Sequence, residues 1–301
     1  MTVAPLFRRQ VASRIRGLLL ALAVAPAAYS QPHVAALPSV TAVQCHLDRG
    51  GRYEGRTAGP VTWAAARAFA RQLAERVPDA AIAGLQDIDS KACAEKIRGF
   101  LAESTKGPWA FAWCSQGVRD KGDGLAIYWR TDRVSLERDL GKGPIDFLDD
   151  GTVLRVMGAW FRALAGGRTF GFFTCRLAPA EARRGATRVT TWAQRLEAWR
   201  VREYLWEAMV EHPDDARILA IDLESSFGSP AWFELRRDLE PDGDKRFTVD
   251  SQTALFHGKR HDYLWWDGHA GPRAAGGVIG KPGRGEHFGG SHRFVWAAMK
   301  L

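Results

Sequence analysis

Four apolar runs in this 301-residue chain end on, or are broken by, polar residues in the order Leu85-Gln86-Asp87, Ile221-Asp222-Leu223-Glu224, His261-Asp262-Tyr263 and Ser291-His292. An ionised group left alone inside a buried strand is costly, so each cluster belongs at the edge of a sheet. Acids and a histidine brought to one edge can converge on a single cleft.

The first thirty residues are a different kind of sequence. They carry Arg8, Arg9, Arg14 and Arg16 and no acid, then an apolar run from Gly17 to Ala28 with Ser30 behind it. A basic start, a short apolar run and small residues near its end form the pattern of a secretory signal peptide. The expected organisation is a signal over 1–30, a short linker over 31–38 and one domain over 39–301, secreted or periplasmic. No later segment approaches the roughly 18 consecutive apolar residues of a membrane span. The four arginines supply half of the formal +8 excess, so the remaining charge is too mild to name a polyanionic partner. Four cysteines, Cys45, Cys93, Cys114 and Cys175, fit no zinc spacing. An oxidising compartment would permit disulfides, and Cys93 with Cys114 is the pair expected.

Strand and helix patterns alternate along the rest. Strands are predicted over 39–45, 80–85, 124–129, 153–163, 169–175, 217–223, 254–257, 263–266 and 294–299, and a hairpin turn at Gly166-Gly167. Helices are predicted over 62–76, over 90–103 with Ser90 as cap, over 187–210, and after Ser229-Pro230, an N-cap followed by a first-turn proline. In the long helix Trp192, Leu196, Trp199, Leu205 and Trp206 fall at helical spacing and are assigned to the core. Residues 268–290, rich in glycine and carrying His269, Arg273, Lys281, Arg284 and His287, read as a long loop. Loops of that length inside a domain are uncommon unless functional.

In their order, these motifs resemble the endonuclease/exonuclease/phosphatase superfamily with the deoxyribonuclease-I-like fold. Pro78-Asp79-Ala80 followed by Leu85-Gln86-Asp87 is similar to its Pro-Asp…Leu-Gln-Glu strand, and Gly124 to Arg130 to its central strand. Thr174-Cys175-Arg176-Leu177 is similar to Thr-His-Leu, Ile221-Asp222-Leu223-Glu224 to the Gly-Asp-Phe-Asn strand, His261-Asp262-Tyr263 to Ile-Asp-Tyr, and Gly290-Ser291-His292 to Ser-Asp-His. The resemblance implies an α/β (α+β) fold, a four-layer α/β/β/α sandwich of two mixed sheets flanked by helices. It implies hydrolysis of phosphodiesters or phosphomonoesters, usually with Mg²⁺, although Mn²⁺ or Ca²⁺ would serve. Asp222 is expected to orient the attacking water, and His292 with Asp262 to meet the phosphate. Arg155 is expected on phosphate oxygens, and Asp123 as the acid that orients the residue at position 176.

The chain departs from that pattern at the same site. Gln44 stands for an asparagine, Asp87 for a glutamate and Ser291 for an aspartate, all at metal-serving positions, so a hard cation should be held less well. Glu224 stands for an asparagine and could hold metal from the Asp222 side. Arg176 replaces a histidine. Arginine keeps its proton, so it either clamps a substrate phosphate or pairs with Asp123 or Glu224, fills the cleft and ends catalysis. The leading expectation is an exported, metal-dependent phosphoesterase, monomeric, with no protein partner evident. Its substrate would be a nucleic acid, a phospholipid or a small phosphoester. The alternatives are a catalytically silent binding module and a sphingomyelinase-like lipid phosphodiesterase, which would need an exposed aromatic hairpin at Trp265-Trp266.

Overall fold

The computed structural model describes residues 39–47, 63–116, 124–148, 151–178, 187–225, 228–241, 261–267, 275–279 and 294–301. The predicted signal and linker, the 254–257 strand, Asp123, Ser291 and His292 lie outside them. Strands β1 (Ser39–His46), β2 (Ala80–Ile88), β3 (Trp109–Cys114), β4 (Gly124–Arg130), β11 (Ala275–Ile279) and β12 (Phe294–Lys300) form one sheet in the order β11-β12-β1-β2-β4-β3. Strands β5 (Val134–Phe147), β6 (Val153–Ala163), β7 (Thr169–Arg176), β8 (Ala216–Asp222), β9 (Glu240–Pro241) and β10 (Asp262–Trp266) form the other, in the order β5-β6-β7-β8-β10-β9. Each sheet is mixed: β1–β2 and β7–β8 run parallel and their other pairs antiparallel.

Period-two alternation sorts these strands into three apolar layers. Ala42, Ile82, Leu125, Ile127, Phe170, Phe172, Ile218, Ala220 and Leu264 meet between the sheets. Their neighbours Val43, Ala83, Leu85, Ala126 and Tyr128 face helices α1 (Trp63–Arg76) and α2 (Lys91–Thr105). Phe173, Cys175, Leu219, Ile221 and Trp265 face α3 (Thr187–Met209) and α4 (Pro230–Leu235). This is the expected α/β/β/α sandwich. The caps are also as read: Ser90 accepts from Cys93 N at 3.1 Å, and Ser229 from Trp232 N at 3.2 Å ahead of Pro230.

Several expectations are corrected. On α3 only Leu205 of the five assigned residues is buried; Trp192, Leu196, Trp199 and Trp206 are exposed, with Trp192 at 66%. Helical spacing identifies one face of a helix but not which face is covered, and here Ala198, Val201 and Leu205 line the core. The four cysteines are buried free thiols. Cys93 packs between α2 and the first sheet while Cys114 faces the space between the sheets, on opposite sides of one layer. The 268–290 segment is not wholly loop, because β11 within it pairs with β12. Strands β3 and β5, one short and the other mostly polar, went unpredicted.

Candidate active site

The parity that builds the inter-sheet layer also aims polar residues inward from the ends of the central strands. On β1 the series Val40, Ala42 continues to Gln44 and His46. On β7 the series Phe170, Phe172 continues to Thr174 and Arg176, and on β8 Ile218, Ala220 leads to Asp222. Arg176, Asp222 and Asp262 are side-by-side register partners across β7, β8 and β10. His46 and Gln86 are register partners across β1 and β2, in the facing sheet.

Gly84 lets those two rows approach. A Cβ at this position would lie 2.7 Å from Ala220 Cβ and 3.0 Å from Thr174 Oγ1, so only glycine fits without displacement. Just beyond it the Gln86 amide donates to Thr174 Oγ1 at 2.8 Å, and Gln44 Nε2 donates to Gln86 Oε1 at 2.9 Å and to Asp262 Oδ1 at 2.8 Å.

Asp87 reaches the cleft by a different route. Straight alternation would send it toward the helices with Leu85, but the β2–β4 register slips between Gln86 and Ile88, and Asp87 takes φ +62°. That left-handed turn swings its carboxylate onto His46 and Arg176. Glu224, just past β8, is also left-handed at φ +48°. Such backbone costs on the order of 1 kcal/mol or more per residue and concentrates at functional sites.

The result is a compact ionic cluster. His46 Nε2 is 2.8 Å from Asp87 Oδ2, and His46 Nδ1 is 2.7 Å from Asp222 Oδ2. Arg176 donates through Nη1 to Asp87 Oδ1, and through Nε to Glu224 Oε1 at 2.8 Å; its Nε is 3.6 Å from Asp222 Oδ2. Asp222 Oδ1 accepts from Glu224 N at 3.1 Å, closing the turn that carries the glutamate. Burial alone would lower the pKa of His46, but Asp87 and Asp222 outweigh it and hold the imidazole well above its ordinary range. The same contest at Arg176, burial against Asp87, Glu224 and Asp222, leaves its pKa above the usual arginine value.

Helix α3 fixes the rim from behind. Gln194 Nε2 donates to Ala178 O at 2.9 Å and Glu224 O at 3.2 Å, while Glu197 accepts from Ala178 N at 2.9 Å.

No protein-family model matches the sequence, and no curated protein matches it. Solved structures do match. An endonuclease/exonuclease/phosphatase family protein from Bacteroides thetaiotaomicron superposes with TM-score 0.65 at 17% identity, over 87% of this chain and 98% of that one. The human nocturnin catalytic domain, with bound sulfate, gives 0.65 at 11% over 87% and 94%. A mannosyl-6-phosphatase from the same Bacteroides gives 0.63 at 16% over 87% and 100%. This chain has the endonuclease/exonuclease/phosphatase fold.

Within that fold the expected site residues divide. The structure brings Gln44, Asp87, Arg176, Asp222, Glu224 and Asp262 together. Arg155 is not part of the ionic cluster. It stands level with Arg176, one step past the Val156–Cys175 pair, and donates Nε to Ser115 O at 3.0 Å. Ser291, His292 and Asp123 fall outside the described residues. Of the two outcomes foreseen for Arg176, the ion pair is the one observed, with Glu224 as its partner and Asp87 besides. Trp265 is buried and Trp266 half-buried, so this pair offers no aromatic hairpin to a membrane. His46, Gln86, Thr174, Gln194 and Glu197 were missed. His46 was findable, since it lies two residues beyond Gln44 on the same face.

Two sets of side chains, His46 with Asp222 and Asp262, and Asp222 with Glu224 and His261, place ligand-type atoms within 4.8 Å of one another, as metal sites do. Their chemistry does not fit Mg²⁺ as arranged. Mg²⁺ needs oxygen ligands in a tight octahedron. Both Asp87 oxygens, Asp222 Oδ2 and Glu224 Oε1 already face protein cations. The ring nitrogens of His46 lie 2.8 and 2.7 Å from carboxylate oxygens, so a proton stands between each pair and neither nitrogen offers a lone pair to a metal.

Proposed function

We propose that the chain is an exported phosphoester hydrolase with its active site at the strand ends where Asp222, Asp262, Asp87, Glu224, His46 and Arg176 converge. The observation that carries this reading is the side-by-side placement of Arg176, Asp222 and Asp262 across three strands, facing His46 and Gln86 of the other sheet. Displacement at phosphorus needs fixed positive charge for the phosphate oxygens and a carboxylate for the attacking water. Arg176 and the neighbouring Arg155 supply the charge, and Asp222 the carboxylate. The water oxygen bonds to phosphorus as the ester oxygen leaves with the bonding pair. Asp222 takes the proton that the water gives up, and the leaving oxygen takes one from the medium. Asp262, held by Gln44 at 2.8 Å, is the acid that the family resemblance pairs with His292, and His292 is assigned as donor to the phosphate. The bound sulfate of the nocturnin domain and the mannosyl-6-phosphatase activity named for a Bacteroides neighbour are consistent with a phosphate-sized anion in such a cleft.

The test is turnover by the purified protein of a bis-aryl phosphodiester, an aryl phosphomonoester and plasmid DNA, which also separates the three substrate classes. Asp222→Asn and His292→Ala should each reduce turnover by at least about 100-fold; turnover unaffected by both substitutions would refute the assignment. A second reading, a catalytically silent anion-binding module, is favoured by the Arg176–Asp222 contact at 3.6 Å. Phosphate binding without turnover of any of the three substrates would select it. Export rests on residues 1–30 and is tested by sequencing the N-terminus of the protein recovered outside the cytoplasm.

A further inference from the structure

We infer that Arg176, with His46 packed beside it, takes the place of a divalent cation in this cleft, so that the chain binds no Mg²⁺, Mn²⁺ or Ca²⁺ at this position. The inference relies on the phosphoester reading for what the cleft acts on, but not for how its charge is balanced.

Geometry makes the case. Asp87 comes from the end of β2 and Asp222 and Glu224 from the end of β8, and one guanidinium touches all three. The imidazole of His46 closes the remaining side, with Asp87 on one nitrogen and Asp222 on the other. A fixed cation with an imidazole packed beside it therefore sits where the three carboxylates meet, in the space a metal ion would need. A guanidinium does not give up its proton, so it cannot step aside by becoming neutral. A metal ion close enough to bind these oxygens would lie against it, with like charges in contact in a poorly solvated place.

The backbone is built around the same arrangement. Asp87 adopts its left-handed conformation and shifts the β2–β4 register, and the carboxylate thereby reaches Arg176 and His46. Glu224 is left-handed on the opposite rim, held by Asp222 Oδ1 and Gln194, and meets the same guanidinium. The two rims are thus shaped to grip a fork-shaped cation.

The deciding experiment is calorimetric titration of the purified full chain with Mg²⁺, Mn²⁺ and Ca²⁺, with melting temperature measured in each cation and in chelator. Wild type is expected to show neither binding heat nor a metal-dependent rise in Tm. Arg176→Ala and Arg176→His remove or shrink the guanidinium and are expected to gain both. A one-to-one Mn²⁺ or Mg²⁺ isotherm for wild type that Asp87→Asn abolishes overturns the inference. So does failure of both folded Arg176 variants to gain any binding, because the guanidinium would then not be the obstacle. Failure of the phosphoester reading looks different: wild type without turnover in chelator and in metal alike, with the titrations unchanged. If both readings hold, wild-type turnover persists undiminished in chelator.

Discussion

Gln44 Nε2 donates a 2.8 Å hydrogen bond to Asp262 Oδ1 across the space between the sheets, joining residues 218 positions apart. The same nitrogen donates to Gln86 at 2.9 Å, which in turn donates to Thr174. One chain of amides thus ties β1 and β2 to β7 and β10. Gln44→Leu keeps the volume but removes the donor from a buried carboxylate. It should cost about 1–3 kcal/mol, read as a lower urea midpoint with an unchanged slope.

Asp87 is buried between two cations. Asp87→Ala leaves Arg176 and His46 with one fewer counter-charge, and breaking a buried pair of this kind costs about 3–5 kcal/mol. Arg176→Met should also destabilise, but the double variant should lose less than the sum of the two. A double-mutant cycle with strictly additive losses would show that the contact contributes nothing to folding.

Gly84 marks the closest approach of the sheets behind the cleft. Gly84→Ala sets a methyl 2.7 Å from Ala220 Cβ. Overpacking of this kind costs about 1–3 kcal/mol and would force the Gln86–Thr174 hydrogen bond apart. Thermal unfolding, together with the amide resonances of Gln86, should report both; Gly84→Ala with wild-type stability would rule out the tight contact.

The thiols are inert in the folded state. All four are buried, and burial raises Cys45 and Cys175 well above the ordinary thiol range and pushes Cys114 up to about 11. The native protein should not react with a thiol-specific chromogenic disulfide at pH 8, whereas the denatured protein should release four equivalents. Reductant should leave the melting temperature unchanged. A count of two after denaturation would reveal a disulfide.

Much of the sandwich was legible because strand parity and helix periodicity are local properties. The inward placement of Asp222 and Asp262 follows from alternation alone, and so would His46 had the count on β1 been carried two residues past Gln44. Asp87 was not derivable in that way: its position depends on a left-handed residue and a register slip, and alternation predicts the wrong face. The exposed tryptophans of α3 failed for a related reason. Trp192, Trp199 and Trp206 share a face at good helical spacing, and only the tertiary fold shows that Ala198, Val201 and Leu205 occupy the covered side. The role of Arg176 could be narrowed to two outcomes but not decided, because both partners were sequence-distant acids.

Helix α3 presents two unlike faces within a single turn. Gln194 clasps the carbonyls of Ala178 and Glu224, while Trp192 stands in solvent with the Arg195 guanidinium 5.1 Å from its ring. An indole so near the clasp is a native fluorophore, whose emission would register any tilt of the helix as an anion settles against the cleft.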